Sequence, residues 1–180
     1  QVRTLDDYLR LEQRLFDELQ GSVYGAVPPG GDAATFNRYS AGSRSDPGVW
    51  PVNWNRTFHL RPAPGTELRG AFLLLHGLTD SPYSMRSIGE HLATRGFEVV
   101  GLRLPGHGTA PSGLLTFRIE DMRAAVRLAA RDLQARVGPD RPLFLGGYSN
   151  GGALAVDYAL AVLDGEALPR PAGLVLLSPM

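Results

Sequence analysis

The stretch Pro142-Leu143-Phe144-Leu145-Gly146-Gly147-Tyr148-Ser149-Asn150-Gly151-Gly152-Ala153 decides how this chain folds. Its first half is a short apolar run of strand character. Its second half opens a segment, Asn150–Leu163, that is apolar on most sides, as a deeply buried helix is. Gly147-x-Ser149-x-Gly151 leaves room between them only for a sharp strand-to-helix turn, which strains its central residue and lifts that side chain above the sheet edge. Glycines two positions before and after Ser149 suit so tight a turn, where larger side chains would collide. Gly152 and Ala153 extend the small-residue packing, and a helix starting at Asn150 points the positive end of its dipole at the serine.

Outward from this turn the pattern alternates. Upstream lies the amphipathic segment Ile119–Val137, with Ile119, Met122, Val126, Ala129, Leu133 and Val137 keeping helical period on one face. Arg123, Arg127 and Arg131 take the opposite face, read as solvated and partly neutralised by Glu120 and Asp132. Residues 98–104 read as a strand. Before them, Ser81 is a candidate helix cap with Pro82 in first position, Met85, Ile88 and Leu92 share a face, and Gly96 closes the helix. Residues 71–75, wholly apolar and ending at His76-Gly77, suit a strand buried on both faces. Residues 55–61 and 173–178 complete the set of strands. Strand and helix alternating at this spacing predict a doubly wound, mostly parallel α/β sheet.

The first 54 residues are of another kind. Residues 4–19 predict a helix, with Thr4 and Asp7 at capping-box spacing and an apolar stripe of Leu5, Tyr8, Leu9, Leu15, Phe16 and Leu19. Residues 21–52 turn to Gly, Pro, Ser and Asn with scattered aromatics, a loop laid over the domain or a partly mobile linker. The expected division is an N-terminal helix and extension over 1–54 and a catalytic-type domain over 55–180. Trp50 and Trp54 could reach a site mouth; surface packing is the plainer reading.

Gly146-Gly147-x-x-x-Gly151-Gly152 superficially resembles a phosphate loop, but G-x-x-x-x-G-K-[ST] is absent and all eighteen basic residues are arginine. G-x-G-x-x-G is absent too, so no dinucleotide cofactor is expected, nor any other cofactor. Eighteen acidic residues balance the charge to zero, which argues against nucleic acid as a partner. With no cysteine, disulfides, thiolate metal sites and cysteine nucleophiles are excluded. The first residue is Gln1 rather than Met, which reads as something upstream removed, and the compartment stays open.

Three motifs in order, HGLTDSP (76–82), LRLPGHGT (102–109) and GYSNGG (147–152), resemble serine hydrolases of the α/β-hydrolase fold, in the esterase, monoacylglycerol lipase and serine aminopeptidase branch. The resemblance covers residues 55–180. It implies that Ser149 is a nucleophile acting on a small-molecule ester or acyl substrate, and that the backbone N–H groups of Leu78 and Asn150 hold the oxyanion, donors worth a few kcal/mol each. It also implies that His76 braces its loop rather than acting as a base, and that His107 sits in a structural turn. His59 and His91 read as strand and helix-surface residues.

In this fold the triad runs serine, acid, histidine along the chain. All four histidines precede Ser149, and Asp157, Asp164 and Glu166 come too soon after it. The triad acid and histidine are therefore expected beyond residue 180, the fold being truncated after the strand that follows the serine helix; that strand would otherwise be an unpartnered apolar edge. Without a histidine, catalysis would fall to a residual roughly 10³- to 10⁴-fold over water. The resemblance also puts a pocket-shaping lid after that strand. The alternative is a non-catalytic relative that binds ligands or partners, favoured if the downstream sequence lacks a histidine as well. Dehalogenases and epoxide hydrolases of this fold carry aspartate where this chain has Ser149.

Overall fold

A computed structural model describes residues 2–24, 38–40 and 42–180. The chain forms helix α1 (Leu5–Ser22), strand β1 (Phe58–Leu60), strand β2 (Gly70–Leu75), helix α2 (Arg86–Thr94), strand β3 (Phe97–Leu102), helix α3 (Ile119–Val137), strand β4 (Leu143–Tyr148), helix α4 (Asn150–Leu163) and strand β5 (Gly173–Leu177). The sheet order is β1-β3-β2-β4-β5, with every pairing parallel except β1 against β3. In the ladder between the central strands, Leu75 lies opposite Gly147. This is the doubly wound, mostly parallel sheet that the alternation predicts.

Side chains alternate across the sheet and build two cores. Leu73, Leu75, Val100, Leu102, Leu143 and Leu145 face α1, α3 and α4, where they meet Leu5, Tyr8, Met122, Leu133, Leu154 and Tyr158. Phe72, Leu74 and Val99 face the other way, toward Phe58, Met85 and Ala93. Burial of β2 on both faces accounts for its unbroken apolar run, Phe72, Leu73, Leu74 and Leu75 each adding about 1.5–3 kcal/mol.

Several local expectations are corrected. The predicted strand over 55–61 shortens to three residues, antiparallel at the sheet edge. Ser81 does not cap a helix: its hydroxyl donates to Asn55 Oδ1 at 2.7 Å, a 3₁₀ turn spans Pro82–Met85, and the α-helix begins at Arg86. Gly89 and Ala93, not Ile88, form the buried face of α2, and Ile119 is exposed at the start of α3. The arginine row of α3 is a seam between elements rather than a free face. Arg123 chelates Asp157 of α4 and Arg127 chelates Glu166 beyond it. Glu120 bonds Arg118 and Asp132 bonds Arg136 instead.

α1 carries the expected capping box, Thr4 Oγ1 accepting from the Asp7 N–H and the Asp7 carboxylate accepting from Thr4. Its stripe contains a charge that the apolar pattern hides, since Glu12 is buried among Tyr8, Phe16 and Leu19. Of the irregular segment over 21–52, residues 25–37 and 41 lie outside the described residues. Its final part is folded down by Asp46, which caps the 3₁₀ turn Pro47–Val49 by accepting from the Gly48 N–H at 2.7 Å.

Candidate active site

β4 ends at Tyr148 and α4 begins at Asn150, so the whole reversal falls on Ser149. Its backbone takes φ 51° and ψ −116°, a left-handed conformation that costs a non-glycine residue about 1–3 kcal/mol. Two glycines make the reversal sterically feasible. A Cβ on Gly147 would strike the carbonyl of Gly151 and the nitrogen of Gly152, and one on Gly151 would strike the carbonyls of Leu75 and His76. The turn is clamped from both sides. The Ser149 N–H donates to the Leu177 carbonyl of β5 at 2.9 Å, and the Ser149 carbonyl accepts from the Gly152 N–H at 2.9 Å. Ser149 itself is half-buried.

The loop leaving β2 runs against this turn because β2 and β4 are parallel neighbours. A Cβ on Gly77 would lie 3.0 Å from the Tyr148 ring and 3.6 Å from the Ser149 Cβ. Leu78 follows with an exposed side chain, and Thr79 takes a second left-handed backbone at φ 60°. Among the described residues, no backbone carbonyl accepts the N–H of Leu78. The N–H of Asn150 lies in the first turn of α4, where the helix supplies no acceptor. The Asn150 side chain turns away to Met122 Sδ at 3.9 Å. Ser149 and Asn150, at the turn into α4, thus adjoin the loop that carries Leu78 at one end of the sheet.

His76 is buried and both of its ring nitrogens are engaged. Nε2 accepts the Leu104 N–H at 3.1 Å, so the proton must sit on Nδ1, which donates to the Gly77 carbonyl at 2.8 Å. Burial drives its pKa down to about 4. The His107 ring lies tilted beside it, centroids 5.3 Å apart; His107 donates Nδ1–H to the Pro105 carbonyl at 2.9 Å, and its pKa is also shifted down, chiefly by burial. His59 pairs with Glu98 across β1 and β3 at 2.7 Å, and His91 is exposed on α2. Among the described residues, then, no imidazole is placed as a base on Ser149.

Trp54 packs edge-on against Phe58 in the second core. Trp50 lines a cavity of about 330 Å³ with Arg38, Arg44 and Tyr83, and Ser149 is not part of its wall. No group of acidic and histidine side chains suited to a metal occurs among the described residues, nor a helix long and apolar enough to cross a membrane.

The pair Glu12 and Arg103 escaped the sequence reading. Arg103 lies just past β3, almost wholly buried, and its Nε donates to Glu12 Oε1 at 2.7 Å. The available signal was Glu12 itself: an acid on an apolar stripe calls for a buried cation.

A five-stranded sheet wound on both faces, with a serine at a left-handed strand-to-helix turn beside an HG loop, defines an α/β-hydrolase. The chain belongs to the family described as serine aminopeptidase, S33, whose profile matches residues 66–180. It is 36% identical over 87 residues to a thermostable monoacylglycerol lipase of Bacillus sp. (strain H-257), covering 48% of this chain and 34% of that protein. Among solved structures, a metagenome-derived lipolytic enzyme from the work on LipS and LipT superposes with a TM-score of 0.60 at 31% identity, covering 71% of this chain and 47% of that one. Saccharomyces cerevisiae monoglyceride lipase, solved with a substrate analogue, gives 0.60 at 22% identity over 69% of this chain and 41% of its own, a likeness of fold alone. The chain thus spans about a third to a half of the length of these relatives.

Proposed function

We propose that this protein is a serine hydrolase of carboxylic esters, with Ser149 as nucleophile. The observation that carries the reading is the strained Ser149 backbone with the Gly77–Thr79 loop laid against it. Strain of this kind persists only where surrounding structure over-determines it, and it gathers at sites of chemistry. Residues 55–180 then form the N-terminal part of the catalytic domain and residues 1–54 an extension to it.

In the reaction, the Ser149 Oγ attacks the ester carbonyl carbon as its proton passes to the triad histidine, which we place beyond residue 180 together with the triad acid. The carbonyl oxygen becomes an oxyanion that accepts hydrogen bonds from the Leu78 and Asn150 N–H groups. Collapse expels the alcohol, which takes the proton, and leaves an acyl-serine; water then releases the acid by the same route. Substrates are small esters, and acylglycerols enter as candidates through the lipases the chain resembles.

A fluorophosphonate probe tests this on the intact protein. Labelling at Ser149, abolished in Ser149→Ala, is the expected result. Failure of the folded, intact protein to label would sink the reading.

A further inference from the structure

The residue that holds the oxyanion loop is itself held from outside the region shared with the family. The Gly77 carbonyl and the Leu78 N–H belong to one peptide unit, which is planar and trans, so fixing the oxygen in one direction aims the N–H in the other. His76 Nδ1–H fixes that oxygen at 2.8 Å. The His76 ring is fixed in turn by the Leu104 N–H on its Nε2 at 3.1 Å. The position of the Leu104 N–H depends on Arg103, the other half of its peptide unit.

Arg103 is pinned at every polar group of its main chain by residues from the first 57 positions. Its carbonyl accepts from the Tyr8 hydroxyl at 2.6 Å, and its N–H donates to Thr57 Oγ1 at 3.0 Å. Its guanidinium donates from Nε to Glu12 at 2.7 Å, and from Nη1 to the His107 carbonyl at 2.9 Å and the Leu104 carbonyl at 3.4 Å. Glu12 also accepts from the Thr57 N–H, at 3.1 Å on its nearer oxygen, and from the Thr57 hydroxyl at 2.9 Å. One carboxylate on α1 therefore orients both the guanidinium and the threonine that together place the chain at 103–104.

We infer that Glu12, acting through Arg103 and His76, is a positioning residue for the Leu78 N–H, so that α1 is a working part of the oxyanion site. The inference rests on the reading of Leu78 as an oxyanion donor. A carboxamide at position 12 keeps the shape but loses the charge that orients Arg103 and turns a donor toward the Thr57 N–H.

The test is steady-state hydrolysis of a neutral aryl ester such as 4-nitrophenyl butyrate by the intact protein, with active sites counted by phosphonate titration. Glu12→Gln is expected to lower kcat per titrated site by about tenfold or more, leaving KM within about twofold; deleting one oxyanion donor outright costs about 10²- to 10³-fold. Glu166→Gln, which breaks the ion pair with Arg127 far from this chain of contacts, should leave kcat unchanged. Should Glu12→Gln fold poorly, Glu12→Leu with Arg103→Met restores an uncharged interior but not the bonds to the Leu104 and His107 carbonyls, and its kcat should stay low. Full kcat per site in either variant overturns the inference while the esterase reading stands. No hydrolysis or labelling by the unaltered protein removes both.

Discussion

The side chain of His76 accepts the N–H of Leu104 at 3.1 Å, which fixes the imidazole as neutral at the core of the fold. That state makes the protein sensitive to acid. In the unfolded chain His76 takes a proton near pH 6.5, whereas in the folded chain it does so only near 4, mainly because burial penalises the charge. Between these values the unfolded state binds more protons, so stability is fullest above pH 6.5 and declines as pH falls toward 4. His107, shifted the same way by burial, adds to the decline. Urea midpoints across this range should fall with pH, and a flat profile would count against a buried neutral pair.

Ser149→Gly should stabilise the protein by about 1 kcal/mol while abolishing covalent labelling. Glycine relieves the left-handed backbone, and the serine hydroxyl makes no capping bond that would be lost. Equilibrium unfolding measures the gain; a loss of stability would mean that the strain at this residue is not real.

Gly151→Ala should cost about 3 kcal/mol or more. The added methyl meets the carbonyls of Leu75 and His76, main-chain atoms that cannot give way without moving β2. Thermal denaturation beside Gly21→Ala, in α1, whose added methyl meets nothing nearby and whose φ is not positive, separates a packing clash from the loss of a glycine as such.

Glu12→Ala should destabilise by about 3–5 kcal/mol, because it strands a buried guanidinium, while the apolar pair Glu12→Leu with Arg103→Met should cost far less. Denaturant titration of the three proteins checks the order. Equal losses would show that the pair is not desolvated in solution.

What the sequence made legible was whatever has a local signature. α3 and α4 have the predicted boundaries because their apolar period is uninterrupted, and the small residues around Ser149 mark the turn. Ser81 misled because its hydroxyl is spent on Asn55, twenty-six positions away, rather than on the helix it precedes. The arginines of α3 misled for the same reason: helical spacing offers Glu120 and Asp132, but the tertiary fold brings Asp157 and Glu166 closer. Glu12 and Arg103 lie 91 positions apart, a separation at which spacing carries no information about pairing.

The opposition of Leu75 to Gly147 in the central ladder acts as a ruler for the site. Both loops grow from the ends of that one hydrogen-bonded ladder, so a slip of a single residue would displace the Leu78 loop from Ser149 by about 3.3 Å. The register of the two loops is therefore gauged by main-chain bonds, and the side chains of His76 and Arg103 set only how the Gly77–Leu78 peptide is turned within it. Sequence drift over the surface can reshape what enters the site without recalibrating it.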